Sequence, residues 1–252
     1  MTPSAATPAP PPRRALKLSE TLAKQIVDDI YSQELGPGSK LPAEKEMLER
    51  FGVSRGTLRE ALRILEVHGL LIIRSGPNGG PTVSEMTPHD FNRACSLHFK
   101  TAGITVRELW QSRVGLEPLL AKLAAENLTS ASITELTDLL RRAKGELVDA
   151  NDQFISIGSD FHQAIAHASG DRILSLFARS LGEMTSHLAS SQTLFPPSQH
   201  DRVHEDHIRI VEAILAGDSS RAEALARVHM EEMRSTYGES YSALVDTVLP
   251  YI

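Results

Sequence analysis

Two sets of residues in this chain stand at spacings that could do chemistry. In the first, Arg55, Arg59 and Arg63 recur every fourth residue within SRGTLREALRILEVHGL, a step that lines guanidinium groups along one face of a helix. A row of permanently charged, fork-shaped donors suits phosphate oxygens and the edges of guanine; an ordinary solvated charged face is the plainer alternative. In the second, His162, His207 and His229 lie on the apolar faces of three separate helical stretches. Their neighbours there are Ile155, Ile165 and Ala166, then Val211 and Ile214, then Leu225 and Met233. Imidazoles aimed inward from three helices can converge on one divalent ion. The same spacing is met by three core histidines, each with its own hydrogen-bond partner. His167, His200 and His204 read as surface or flanking residues.

The arginine row needs a small helical head to carry it. Residues 41–70 read as two short helices around a tight turn, with Leu48, Phe51 and Val53 apolar near the turn. Leu58, Leu62 and Leu65 then recur at helical steps on the inward face, and Ser54 stands where an N-cap would accept the first amides. Upstream, Leu22, Ile26, Val27 and Ile30 make an amphipathic helix over Leu18–Tyr31, stopped by Gly36-Pro37-Gly38. Pro42 suits the first turn of the second helix, and Gly52 and Gly69 close the second and third. LLIIRS and PTVSE, separated by Gly76, Pro77, Asn78, Gly79 and Gly80, form a hairpin. Neither G-x-G-x-x-G nor a Walker lysine accompanies those glycines, which argues against a nucleotide loop. Three helices followed by a hairpin make a winged helix-turn-helix.

The histidines need a bundle. Beyond Met86, apolar residues recur at helical period over 88–101, 105–128, 132–150, 151–169, 171–191, 201–216 and 218–244. Ser132 with Glu135 reads as a capping box, and Gly170–Asp171 and Gly217–Asp218 read as helix ends followed by starts. The fold class is therefore mainly α, with an amino-terminal winged helix-turn-helix and a carboxyl-terminal all-helical antiparallel bundle around a pocket.

Composition agrees with two soluble domains. The 252 residues are 41% apolar and 23% charged, and no apolar run approaches the length of a membrane span. MTPSAATPAPPPRRALK reads as a disordered tail rather than a signal peptide. Cys95 is the only cysteine, which excludes an internal disulfide and suits a reducing cytoplasm. The net charge of −6 is unevenly placed: residues 1–84 carry 11 Lys and Arg against 9 Asp and Glu, the remainder 15 against 23. A mildly basic amino end facing DNA and an acidic carboxyl end with another task follow from that. The organisation expected is a tail at 1–16, a DNA-binding domain at 17–84, a linker at 85–90 and a helical domain at 91–245.

The run GSKLPAEKEMLERFGVSRGTLREALRILEVHGLL with its glycine-tipped wing strongly resembles the amino-terminal domain of GntR-family transcription regulators. In the fatty-acid-regulator-like branch of that family, the resemblance implies DNA contacts from Lys45, Ser54, Arg55, Thr57 and Arg59, with Gly76 at the wing tip. A lysine stands at 45 where arginine is common, and Gly56 replaces a common hydroxyl residue. Residues 88–244 resemble the helical ligand-binding FCD domain of the same branch, through LWQSRVGLEP, DFHQAIAHASGD, HEDHIRIVEAILAGD and RAEALARVHMEEM. The resemblance maps a metal site onto His162, His207 and His229, holding zinc or nickel. The acidic ligand is missing: Gly158 stands at its position, and Asp160 lies about 160 degrees round the helix. Arg113 is the candidate to grip an effector carboxylate, and an i,i+4 pair with Glu117 is the alternative.

The expectation is a cytoplasmic, ligand-responsive repressor binding a pseudo-palindromic DNA operator as a homodimer, with a small organic acid as effector. The effector would act on the paired DNA readers through the linker. A helical metal-dependent hydrolase and a winged-helix protein-docking module are the alternatives.

Overall fold

The structure, a computed structural model, describes residues 13–76, 79–85, 87–145, 151–190, 200–240 and 242–251. Expectations for residues 1–12, Pro77, Asn78, Met86, 146–150, 191 and 241, and for the side chain of Ile155, lie outside the described residues. The chain divides into two compact units, Met1–Asp90 and Phe91–Ile252.

The first unit comprises α1 (Arg13–Ser32), α2 (Glu44–Phe51) and α3 (Arg55–Val67), followed by the hairpin of β1 (Leu71–Arg74) and β2 (Gly80–Val83). Leu22, Ile26 and Ile30 of α1 meet Met47 of α2 and Leu58, Leu62 and Leu65 of α3 in one core. The hairpin closes it from below, because the register sets Leu71 opposite Val83 and both are buried. Helix α1 starts at Arg13, inside the tail expected to run to residue 16. The residues after Pro12 are good helix formers, so no breaker stands between Arg13 and the apolar stripe. Pro42 falls outside α2: Ala43 is the extended N-cap, with φ −60° and ψ 151°, and Glu44 and Glu46 favour the positive end of the helix. Gly52 closes α2 in the left-handed region at φ 62°. The stretch before α2, read only as a turn, also covers the free edge of β2. Gly38 N–H donates to Val83 O at 2.8 Å, Val83 N–H to Ser39 O at 2.8 Å and Leu41 N–H to Pro81 O at 2.9 Å.

The second unit is all helical: α4 (Pro88–Ala102), α5 (Val106–Glu126), α6 (Ser130–Gly145), α7 (Asn151–Ala168), α8 (Arg172–Ser190), α9 (His200–Leu215) and α10 (Ser219–Ser240). The expected class, mainly α with a winged helix ahead of a helical domain, is the class observed. Helix α5 is the hub, packing along α10 most extensively and against α7, α8 and α9. Helix α4 begins at Pro88, as the helical period over 88–101 anticipated, and takes in the last residues of the expected linker; there Asp90 Oδ2 accepts from the Thr87 backbone N–H at 3.0 Å and from its hydroxyl at 2.8 Å. Three other starts and ends differ from expectation. Helix α6 is capped by Thr129, which exchanges hydrogen bonds with Ser132 at 2.8 and 3.1 Å, while Glu135 faces His167 instead. His200, expected at the surface, opens α9 and is buried. Helix α10 ends at Ser240, and residues 242–251 return to the start of α5.

That return positions the site. The first amides of a helix have no acceptor within it. Here Thr247 O accepts from Val106 N–H at 3.0 Å and Val245 O from Arg107 N–H at 2.9 Å, while Thr105 and Glu108 complete a capping box. Arg107 grips Asp246 with two donors, at 2.8 and 3.0 Å, and Val245 and Leu249 are buried. Helix α5 is thus held at its first turn, and its inward residues Trp110, Arg113 and Glu117 are set from there. No helix among the described residues is long and apolar enough to cross a membrane.

Candidate functional site

On the first unit, α3 presents Arg55, Arg59 and Arg63 to solvent while Leu58, Leu62 and Leu65 face the core. Ser54 caps the helix as expected, its hydroxyl accepting from Thr57 N–H at 3.1 Å; the Ser54 and Thr57 hydroxyls are also 2.9 Å apart. Both hydroxyls therefore sit at the exposed amino end of the reading helix, partly engaged with each other. Arg59 lies 3.4 Å from Glu44 of α2, and Lys45 lies 3.9 Å from Glu49. Such exposed pairs are weak and exchange readily for a phosphate. Arg50 serves the fold instead, reaching Asp29 of α1 at 2.6 Å. At the wing, Gly76 takes φ +110° with open space around it. A Cβ at Gly79 would meet the Arg74 carbonyl oxygen at 2.2 Å, so only glycine closes this turn.

In the second unit, the three histidines come together from α7, α9 and α10, with one nitrogen of each within 4.8 Å of the others. His207 Nε2 and His229 Nε2 are 3.2 Å apart, and Phe161 stacks on the His207 ring at 3.8 Å between centroids. They are one cluster, not three separately partnered histidines. Glu117 joins it from α5: Oε2 lies 2.5 Å from His162 Nδ1, and Oε1 accepts from Arg113 Nε at 2.5 Å. Arg113 and Glu117 are both buried, so the i,i+4 pair anticipated as the alternative role of Arg113 is present. Arg113, His162 and His207 line a cavity of about 60 Å3 together with Trp110, Gly158, Arg179 and Glu183. Glu183 accepts from Asn92 Nδ2 at 3.0 Å, and Asn92 Oδ1 accepts from the Ser180 hydroxyl at 3.0 Å. Asp160 is on the outside, 3.9 Å from Arg142.

The electrostatics follow from burial. Burial works to raise the Glu117 carboxyl, but the facing Arg113 and His162 outweigh it and hold it down at about 2. Burial lowers both His207, well below its ordinary range, and His229, to about 3; the proximity of His229 and His162 adds to it at His207, and that of His162 adds to it at His229 against the opposing charge of Glu117. At neutral pH both rings are uncharged, with lone pairs available. Three imidazoles, two of them neutral and 3.2 Å apart, form a donor set of the right type and bite for a divalent ion. Glu117 on His162 Nδ1 stands where a carboxylate would orient a metal-binding histidine through its other nitrogen. A Cβ on Gly158 would sit 3.9 Å from His207 Cε1, so the missing acidic side chain leaves its space open toward the cluster.

Sequence reasoning placed Arg113 and the histidines but missed the Glu117–His162 contact and the cavity roles of Trp110, Arg179 and Glu183. Arg179 and Glu183 stand four apart and would pass for a surface pair.

Comparison with known proteins bears on both units. The model of bacterial regulatory proteins of the gntR family matches residues 18–78, and that of the FCD domain matches residues 108–232. The HTH-type transcriptional repressor NanR of Citrobacter rodentium is 30% identical over 235 residues, spanning 88% of this chain and 85% of that protein. The chain belongs to the GntR family. A second relative of this GntR protein, the HTH-type transcriptional repressor NanR of Klebsiella aerogenes, is 29% identical over 238 residues, spanning 88% of this chain and 85% of that one. Among solved structures, Streptococcus agalactiae GntR shares the fold, with a TM-score of 0.65 at 23% identity over 86% of this chain and 99% of that one. The GntR match encloses Lys45, Ser54, Arg55, Thr57, Arg59 and Gly76, and the FCD match encloses Arg113, Glu117, His162, His207 and His229. This GntR protein is a DNA-binding transcription regulator with an effector-binding domain and not an enzyme, which disposes of the hydrolase and docking-module alternatives.

Proposed function

We propose that this GntR regulator is a cytoplasmic repressor that holds a pseudo-palindromic operator as a homodimer and releases it when a small organic acid enters the helical cavity. The observation that carries the reading is the exposed row of Arg55, Arg59 and Arg63 on a capped helix, in a chain that also encloses a largely apolar cavity with Arg113, Glu117 and His162 in its lining. A dimer presents two such helices to successive major-groove faces, and phosphate neutralisation supplies most of the affinity. The repressors among its relatives support the sign of regulation. A gel shift on the promoter region of its own gene tests this. Sequence-selective binding that weakens steeply with salt is expected; binding indifferent to sequence would refute the operator reading.

The metal belongs to the same reading. His162, His207 and His229 would hold zinc or nickel, with Glu117 orienting His162. The ion would supply a Lewis-acidic, positively charged centre for an anionic effector. With Gly158 in place of a carboxylate, the ligand set is neutral, so binding is weaker than at an acidic site and more dependent on the effector's charge. Metal analysis of chelator-treated, reloaded protein is expected to show uptake by wild type and none by His207→Ala; equal uptake by both would overturn the assignment.

A further inference from the structure

The two strands of the hairpin are held unequally. Leu70 O accepts from Ser84 N–H at 2.8 Å at the foot of the hairpin, and pairs along an antiparallel ladder alternate between bonded and unbonded. With Ile72 opposite Thr82, Ile73 opposite Pro81 and Arg74 opposite Gly80, Ile72 and Arg74 fall at bonded positions, and the Ile73 N–H points away from β2. Pro81, with no N–H to give, sits at the unbonded position where none is needed. Strand β2 is secured on its far side by residues 38–41, and its Pro81 and Val83 are buried. Strand β1 is the open edge: past Leu71, its Ile72, Ile73 and Arg74 are all exposed. A strand so placed turns its outward amides to solvent. Glu66, in the last turn of α3, reaches that edge, and its Oε1 accepts from Ile73 N–H at 3.1 Å. The bond joins the end of the reading helix to the wing midway between the buried base at Leu71 and the tip at Gly76.

We propose that Glu66 is a positioning residue for DNA reading: it fixes the angle at which the wing leaves α3, so that the wing tip and the arginines of α3 meet a duplex as one preformed surface. The proposal deepens the DNA-reading role of the first unit and adds a residue that acts without touching DNA. A wing free to swing about Leu71 and Val83 has to be ordered on binding, and that ordering is subtracted from the affinity. The Glu66 bond removes the swing beforehand. Its charge works the other way, because a carboxylate on a DNA-reading helix repels phosphate. Position and charge therefore act with opposite signs. Positioning requires only an acceptor oxygen at the reach of a glutamate side chain, and an amide carbonyl meets that requirement.

Three substitutions in the full chain separate reach from charge. Glu66→Gln keeps the acceptor at the same reach and removes the charge, Glu66→Asp keeps the charge and withdraws the oxygen by one methylene, and Glu66→Ala removes both. Amide exchange of Ile73 without DNA reads the bond itself. Binding to the duplex that wild type enriches from a randomised pool reads its consequence. Glu66→Ala and Glu66→Asp are expected to exchange Ile73 about tenfold faster and to bind that duplex about three- to tenfold more weakly, the range of one hydrogen bond. Their base preference should flatten at positions flanking those read by Arg55 and Arg59. Glu66→Gln is expected to protect Ile73 within about twofold of wild type and to bind as tightly or more so. Unchanged Ile73 exchange in Glu66→Ala and Glu66→Asp, Glu66→Gln grouping with Glu66→Ala, or Glu66→Asp binding like wild type would overturn the proposal. If Glu66→Ala melts far below the others, the Gln and Asp variants alone decide. A wild type that enriches no duplex sinks the operator reading, and Ile73 exchange across the variants then still upholds or overturns the bond.

Discussion

The two units handle arginine in opposite ways. On α3, Arg55, Arg59 and Arg63 stand in solvent, their stems anchored on a helix whose other face is the core. In the helical unit, Arg113 is buried and locked to Glu117, which in turn holds His162. The exposed row adds little to folding and is available to a partner. The buried group is part of an interdependent network in which each charge is tolerable because another faces it. The first arrangement separates function from stability, and the second joins them.

The strongest test of this contrast is Glu117→Ala. It leaves Arg113 buried without its counter-charge and frees His162, and should lower the unfolding free energy of the helical unit by about 3–5 kcal/mol, read by chemical denaturation. A loss near that of a surface substitution would break the contrast. Next comes acidity, measured on metal-free protein. The folded pKa values of His207 and His229 lie below the unfolded value, so between about 6.5 and 3 the unfolded chain binds more protons than the native one. Stability should be flat above pH 6.5 and fall as pH drops below it, by up to about 1.4 kcal/mol per pH unit for each ring. Glu117, held at about 2 against an ordinary 4.5, adds a further loss below pH 4.5. Thermal melts across that range check it, and a profile flat down to pH 4 would contradict the buried neutral pair.

The exposed row should behave otherwise. Arg55→Ala and Arg59→Ala should each cost roughly 1–3 kcal/mol of operator discrimination, yet change unfolding by no more than about 0.5 kcal/mol. Competition binding with altered operators, beside denaturation curves, measures both. A large stability loss would place these arginines in the second category. The smallest effect is that of Ser54→Ala, about 1 kcal/mol of stability from the lost cap on Thr57 N–H, with weaker DNA binding.

Much of the first unit was legible because its determinants are local. The three- and four-residue apolar steps, Ser54, Gly52 and the glycine-separated β-branched runs each act within a few residues of themselves. Proline and cap positions misled by a few residues, since Pro42 before an extended Ala43 and Ser132 beside Thr129 satisfy the same local rules in two registers. The helical unit was legible as helices, and its histidines as inward-facing. Their partners were not, because Glu117 and His162 stand 45 positions apart and no helical period relates them.

What the chain determined by itself is therefore what short-range chemistry determines: which stretches are helical, to within a few residues at their ends, and that three arginines point out while three histidines point in. Tertiary structure alone decided that the histidines share one cluster and that Glu117 bridges it to Arg113. It also decided that the carboxyl-terminal residues cap α5 and that Glu66 reaches the open edge of β1. The reason is physical. A hydrogen bond between side chains on different helices depends on the angle and depth at which those helices pack, and packing is a property of the whole core rather than of any segment.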